Sequence, residues 1–407
     1  MPKTEKITYK DLNNENSKPS FLINWRKPSG EISKIVLPKN IVGTKANVIV
    51  LSPDNFPTGS SSDGSAYFNV KYMIDNKRLQ SNTVEVLAFD SAIISYAWAC
   101  SVMGVKCIIK TPENTSTYWL KKAEGYGAKI EFEGVKISDA SRIIDSNRKK
   151  TNFISDIQSP ITYSYHASVT ANAISKAVEG SGNSKLVLLS YPVSSGGFSG
   201  AAFVNKNNFP YSKNILIEPA SSPTFYSNKR SSNKSSDGGY GFIPYIHNIM
   251  GTDYVMLIED EDSAKTLKCI ENFSTKVSTE FKVDSKHTKQ LVGKLSLSTI
   301  ASVIGTVTLA DQLHLKEDDN VVIIGEDYPA PYKDILKAQE VEEMDVKSTI
   351  EEILIKDSFR PIIDVTGQRQ RERLFKKKND FWLRRGADEN TLEKMREKGY
   401  WDHLTSY

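Results

Sequence analysis

Short apolar runs alternate with longer stretches of helical spacing through most of the chain. NVIVLS (47–52), VEVLAF (84–89), VKCIIK (105–110), KIEFEG (129–134), LVLLSYPV (186–193), NILIEPA (214–220), YVMLI (254–258) and NVVIIGEDYP (320–329) read as strands, the last with its turn. Between them, segments 66–80, 94–104, 116–127, 167–179, 259–270 and 295–313 read as helices, two of them closed by Gly104 and Gly127. Apolar runs of about four to eight residues with little alternation suit strands covered on both faces, and helices of about ten to fifteen residues between them supply the crossovers of a parallel sheet. The pattern predicts an α/β protein. The first forty residues are polar and aperiodic, which predicts a lead-in packed on the core. After Pro331 dense mixed charge and helix formers take over, predicting an appended helical extension. The expected units are therefore 1–45 (lead-in), 46–165 (smaller α/β domain), 166–332 (larger α/β domain) and 333–407 (helical extension).

Composition narrows the class. At 407 residues, 39% hydrophobic and 25% charged, the chain is neither disordered nor fibrous, and it is long enough for two or three domains with a self-sufficient core. Its three cysteines, Cys100, Cys107 and Cys269, lie in or beside apolar runs without metal-ligand spacing. They predict buried thiols in a reducing, cytoplasmic compartment. The N-terminal segment has no apolar leader, and no run approaches the roughly 18 apolar residues of a membrane span, so no membrane association is expected. The five histidines show no ligand spacing, and no metal site is expected.

The loop Ser194-Ser195-Gly196-Gly197-Phe198-Ser199-Gly200 joins a strand to a helix, where backbone N–H groups and the helix dipole can cradle a phosphate. Alone it serves equally as a turn. Larger pieces add to it: ILIEPASSP (215–223), DGGYGFIP (237–244), Pro57-Thr58-Gly59-Ser60, GVKCIIKTPENTS, YGAKIEF, LIEDEDSAKTL and His166 ahead of a helix. Over about residues 45 to 332 these pieces, in this order, resemble cysteine synthase, a fold type II enzyme dependent on pyridoxal phosphate (PLP). The resemblance implies a tryptophan synthase beta-like fold with two three-layer α/β/α domains, a homodimer and a place in amino-acid metabolism. For His166 the expected role is a structural hydrogen bond.

The resemblance also fixes a register in which the functional positions differ. Where the family has the lysine that forms a Schiff base with PLP, this chain has Ser62, followed by the retained Asp63. A hydroxyl cannot form an imine. Lys71, nine residues on, is the nearby substitute, and its other reading is a solvated helix lysine. The family's carboxylate-binding Thr-Ser-Gly-Asn loop is matched by Ala88-Phe89-Asp90-Ser91, and its glutamine near the substrate by Asp156. In the phosphate loop, Phe198 replaces a hydroxyl donor, with a ring placed to fill the space of a phosphate. A pyridine-nitrogen partner survives as Ser298 or Thr299. The candidate pocket is thus Ser62, Ser91, Ser194, Ser195, Gly196, Gly197, Phe198, Gly239 and Ser298, with Lys71, Asp90 and Asp156 as candidate catalytic groups.

From this the chain is expected to be a divergent cysteine synthase-like protein that has lost PLP-dependent catalysis, holds no cofactor, and binds a partner or a small anionic or amino-acid ligand. The alternative is a working enzyme. It would run PLP-dependent β-elimination or β-replacement through Lys71, or a PLP-independent reaction on an anionic metabolite with Asp90 or Asp156 as base.

Charge points to one further segment. Residues 369–385 carry net +6 against +4 for the whole chain, with Phe375, Phe381 and Trp382 interleaved. A protein or acidic partner at this segment is one expectation, nucleic acid is not, and an aromatic face laid on the core is the other. Segment 228–237 is read as a surface loop or a lip over the cleft.

Overall fold

The computed structural model describes residues 32–134, 139–147, 149–181, 185–227, 240–356 and 359–405. Among them are the strands β1 (Ser33–Val36), β2 (Asn47–Ser52), β3 (Thr83–Leu87), β4 (Lys106–Thr111), β5 (Lys129–Phe132), β6 (Phe153–Ser155), β7 (Leu186–Pro192), β8 (Lys213–Pro219), β9 (Tyr254–Ile258), β10 (Asn320–Ile324) and β11 (Ile362–Asp364). They form two sheets. The larger has the order β1-β2-β10-β7-β8-β9-β11 and the smaller β5-β4-β3-β6.

All pairings in the smaller sheet are parallel, as are the five central strands of the larger one. Both faces of the larger sheet are covered. Val48, Val50, Leu188, Ile215, Val321 and Ile323 pack on one side with the Leu297–Gln312 helix, while Ile49, Leu51, Leu189, Leu216, Val322 and Ile324 pack on the other with Ile174 and Ala201. This two-sided burial is why the strands read as continuous apolar runs. Helices likewise cover the smaller sheet, with Val70 and Ile93 packed on Val84 and Val86, and Ile143 and Ile144 against Leu87. The fold is the expected two-domain α/β architecture.

Strand pairing adds to this organisation. Strand β2 belongs to the larger sheet, paired parallel with β10, so the smaller domain does not begin at residue 46. An apolar run carries no mark of which sheet it joins. The lead-in contributes β1, antiparallel to β2, and the extension contributes β11, antiparallel to β9. The two edges of the larger sheet are thus covered by short antiparallel strands from outside the core, a common way of blunting exposed strand edges.

The extension is also docked. Trp382 Nε1 donates to the Ile243 carbonyl at 2.9 Å, and Phe381 stacks on Phe242 with ring centroids 4.2 Å apart. Arg373 donates to the carbonyls of Phe225 and Tyr226, Lys377 to those of Thr224 and Ser227, and Lys378 to that of His247. The aromatic face lies on the core, and three of the basic residues serve that docking. Segment 228–237, read as a loop or lip, lies outside the described residues.

Cys100, Cys107 and Cys269 are buried free thiols. No helix among the described residues is long and apolar enough to cross a membrane.

Candidate functional site

The carboxyl ends of β2, β3, β6, β7 and β10 send their loops to one place, where open α/β sheets commonly carry ligand sites. Hydrogen bonds tie the loops together. Ser61 N–H donates to the Glu326 carbonyl, Ser60 Oγ donates to Ser91 Oγ at 2.9 Å, and Tyr96 OH donates to Asp156 at 2.8 Å.

Three carboxylates organise this region, each fed by hydroxyl donors. Asp63 accepts from Thr58 N–H at 2.7 Å, Thr58 Oγ1 at 2.5 Å and Ser95 Oγ at 2.6 Å, which pins the 57–62 turn against the Asp90–Val102 helix. Burial pushes its carboxyl up to about 6 despite these donors. Asp156 accepts from Tyr96, from Thr162 Oγ1 at 2.8 Å and from Ser195, and burial raises it too. Glu326 accepts from Ser194 Oγ at 2.6 Å and from Ser298, with its carboxyl raised first by burial and further by the neighbouring Asp156 charge.

Beside Glu326 lies a cavity of about 50 Å³. Ordinary small-molecule pockets run to roughly 300 to 1,000 Å³. Asp90, Asp260, Glu326 and Asp327 border it together with Ser194, Ser298 and Tyr240, and among the described residues no lysine or arginine lines it. Asp90 holds a left-handed backbone, φ 47°, a conformation aspartate tolerates better than most side chains. Among the described residues no cluster of His, Cys, Asp and Glu is arranged to hold a metal ion.

The expected pocket residues separate into groups. Ser194 and Ser298 meet on Glu326, Ser195 joins Asp156, and Ser91 joins Ser60. Ser62 immediately precedes the Asp63–Asp75 helix, its N–H donating to Ser60 Oγ. Gly196 and Gly197 are required by close approaches within the protein. Gly196 has φ 99°, and a Cβ on Gly197 would lie 2.5 Å from His166 Cδ2. Phe198 does not enter the cavity, contrary to expectation. Its ring is buried against His166, centroids 4.7 Å apart, and faces Leu51, Phe56 and Ile324. As the first residue of an eleven-residue helix it turns into the apolar layer beneath the sheet. Gly239 lies outside the described residues.

Lys71 is buried, not solvated, and paired with Asp75 at 2.9 Å. Nine helical residues separate it from Ser62, an advance of about 13 Å along the helix. His166 bonds Thr170 through Nδ1 at 2.9 Å, and burial pulls its pKa down to about 3, which makes it a neutral structural group.

Sequence reasoning missed Glu326 and Tyr240. The signal for Glu326 was its place two residues past the fully buried β10, at the carboxyl end of a central strand.

Comparison with known proteins agrees with this architecture. The family model described as pyridoxal-phosphate dependent enzyme matches residues 54–327. A probable cysteine synthase of Bacillus subtilis (strain 168) is 25% identical over 222 residues, 52% of this chain and 70% of that protein. In structure, the chain is similar to O-acetyl serine sulfhydrylase isoform 3 from Entamoeba histolytica, with TM-score 0.65 at 15% identity over 87% of this chain and 98% of the other. It is also similar to a hydrogen sulfide-producing enzyme from Fusobacterium nucleatum, with TM-score 0.64 at 16% identity over 85% and 100%. The chain belongs to the pyridoxal-phosphate-dependent enzyme family.

Proposed function

We propose that this chain is a cysteine synthase-like member of its family that has lost PLP-dependent catalysis, holds no cofactor, and uses the scaffold for binding. The observation that carries this reading is the cleft cavity of about 50 Å³, bordered among the described residues by four carboxylates and no cation. PLP needs an amine for its Schiff base and brings a phosphate dianion. A cavity walled by Asp90, Asp260, Glu326 and Asp327 offers, among the described residues, no amine and repels the anion.

The residues present therefore do not fit the cofactor, and further observations support that. On this reading Ser62 stands in place of the Schiff-base lysine. Ser194 and Ser298, the hydroxyls that would meet the phosphate and the pyridine nitrogen, are both committed to Glu326. The glycines of the loop pack on His166 and on residues 244–247, so the protein itself occupies that backbone approach.

A working enzyme finds less support. Lys71 faces Asp75 from about two and a half turns up the helix. Asp156 accepts from three hydroxyls in a buried site, an arrangement suited to holding the domains together. The same reading includes a homodimer, as the resemblance implies, and a cytoplasmic location, which the three buried free thiols support.

Thermal-shift measurements with PLP, amino acids and phosphorylated metabolites test it. No stabilisation by PLP is expected. Saturable stabilisation by PLP overturns the reading.

A further inference from the structure

We infer that a second pocket, separate from the cleft, binds a small organic acid with an apolar body. It lies between the Asp63–Asp75 helix, β6, the Asp156–Gln158 turn and the C-terminal Lys398–Thr405 helix. Its volume is about 510 Å³, about ten times that of the cleft cavity and within the usual range of roughly 300 to 1,000 Å³ for small-molecule sites. The inference does not depend on how the cleft is read.

Two observations point to a ligand and to its chemistry. The first is the lining, apolar and aromatic side chains beside a few polar groups, which is the ordinary composition of a small-molecule site.

The second is charge. Among the described residues the lining holds Arg78 and Lys150 and no carboxylate, the reverse of the cleft. Lys150 is drawn to Glu85 at 2.6 Å. Arg78 rests its guanidinium over the Tyr72 ring, 4.8 Å from the centroid. A guanidinium stacked on a ring can still receive a carboxylate or sulfonate along its planar N–H edge. The remaining wall, including Met73, Phe153 and Leu404, is apolar and matches a hydrocarbon or aromatic body. An acid with such a body satisfies both surfaces at once.

Titration of the full chain with 8-anilinonaphthalene-1-sulfonate, followed by its fluorescence, tests the assignment, with decanoate as competitor. The expected result is one saturable site per chain, displaced by decanoate. Arg78→Gln, at an exposed position, should weaken binding roughly tenfold, the scale of one charge-assisted hydrogen bond. Gln158→Trp, which fills the pocket mouth, should abolish it without lowering the melting temperature. Absence of saturable binding up to about 1 mM, failure of decanoate to compete, or wild-type affinity in Arg78→Gln overturns the assignment.

Discussion

Ser194 Oγ donates a 2.6 Å hydrogen bond to Glu326, and the same carboxylate accepts from Ser298. One acidic side chain thereby joins the β7 loop, the β10 loop and the start of the Leu297–Gln312 helix. Two hydroxyls that would otherwise face a ligand are turned towards a negative charge. On the proposed reading the cleft is a polar core in which bonds among its own residues replace bonds to a bound molecule.

That consolidation has a pH signature. Burial raises the Glu326 carboxyl above its ordinary value of 4.5. A carboxyl with a raised folded-state pKa gives stability that is fully present below its unfolded pKa and lost as pH rises through the folded one. This carboxyl should therefore contribute a gain in melting temperature on going from pH 8 to pH 5, seen as the difference between wild type and a variant that lacks it. Glu326→Gln, which keeps the shape and one acceptor, should gain less and be at least as stable as wild type at pH 8. Equal losses at both pH values in melts of the variant would contradict this.

Lys378 gives a signal in the other direction. Its ammonium is buried beneath the extension, donates to the His247 carbonyl at 3.0 Å and lies 5.3 Å from the centre of the Trp401 ring. Burial pulls its pKa down from 10.5 to about 7. The unfolded chain then binds more protons between about pH 7 and 10, so this group makes stability rise with pH across that window. Lys378→Met should remove that rise in chemical unfolding at pH 7 and pH 9. An unchanged slope in the variant would show that Lys378 is charged in the folded protein.

The docked extension predicts a third outcome. Trp382 is fully buried and packs edge-on against Phe242, Tyr245 and Phe381. Trp382→Ala should cost about 3 to 5 kcal/mol, the scale of a large core truncation. It should also speed proteolysis after residue 364, because β11 holds to β9 by only three residue pairs. A small stability loss with unchanged cleavage would mean that the extension docks through other contacts.

Gly197 carries a steric prediction. A methyl group there would lie 2.5 Å from His166 Cδ2 and 2.9 Å from Thr162 Cγ2. Gly197→Ala should destabilise the chain by about 1 to 3 kcal/mol, as overpacking does, measured by chemical unfolding. Tolerance of the alanine would mean that the loop has free space beside it, as a ligand cradle requires.

The sequence made the α/β texture plain because strands covered on both faces are apolar throughout. It could not assign β2 to a sheet, since pairing partners lie far along the chain: Val48 faces Val321. It left β1 and β11 unseen because short edge strands carry half-exposed, mixed residues such as Lys34 and Asp364. One motif that carried the family resemblance has a structural role. Glu218 of ILIEP accepts from the N–H groups of Thr224, Phe225 and Tyr226 at 2.8 to 2.9 Å. Such contacts keep a motif in place whatever happens in the cleft. The direction of a side chain was not legible. Phe198 looked placed to fill a phosphate site, yet its ring turns into the core beside His166.

The central claim is that the cleft has no chemistry to offer PLP. Its most direct test is the absorbance spectrum, from about 300 to 500 nm, of the chain incubated with PLP, desalted, and then reduced with borohydride. The account predicts no retained chromophore and no pyridoxyl group fixed on any lysine. A stoichiometric Schiff-base band that survives desalting, shifts on reduction and vanishes in Lys71→Ala would contradict it.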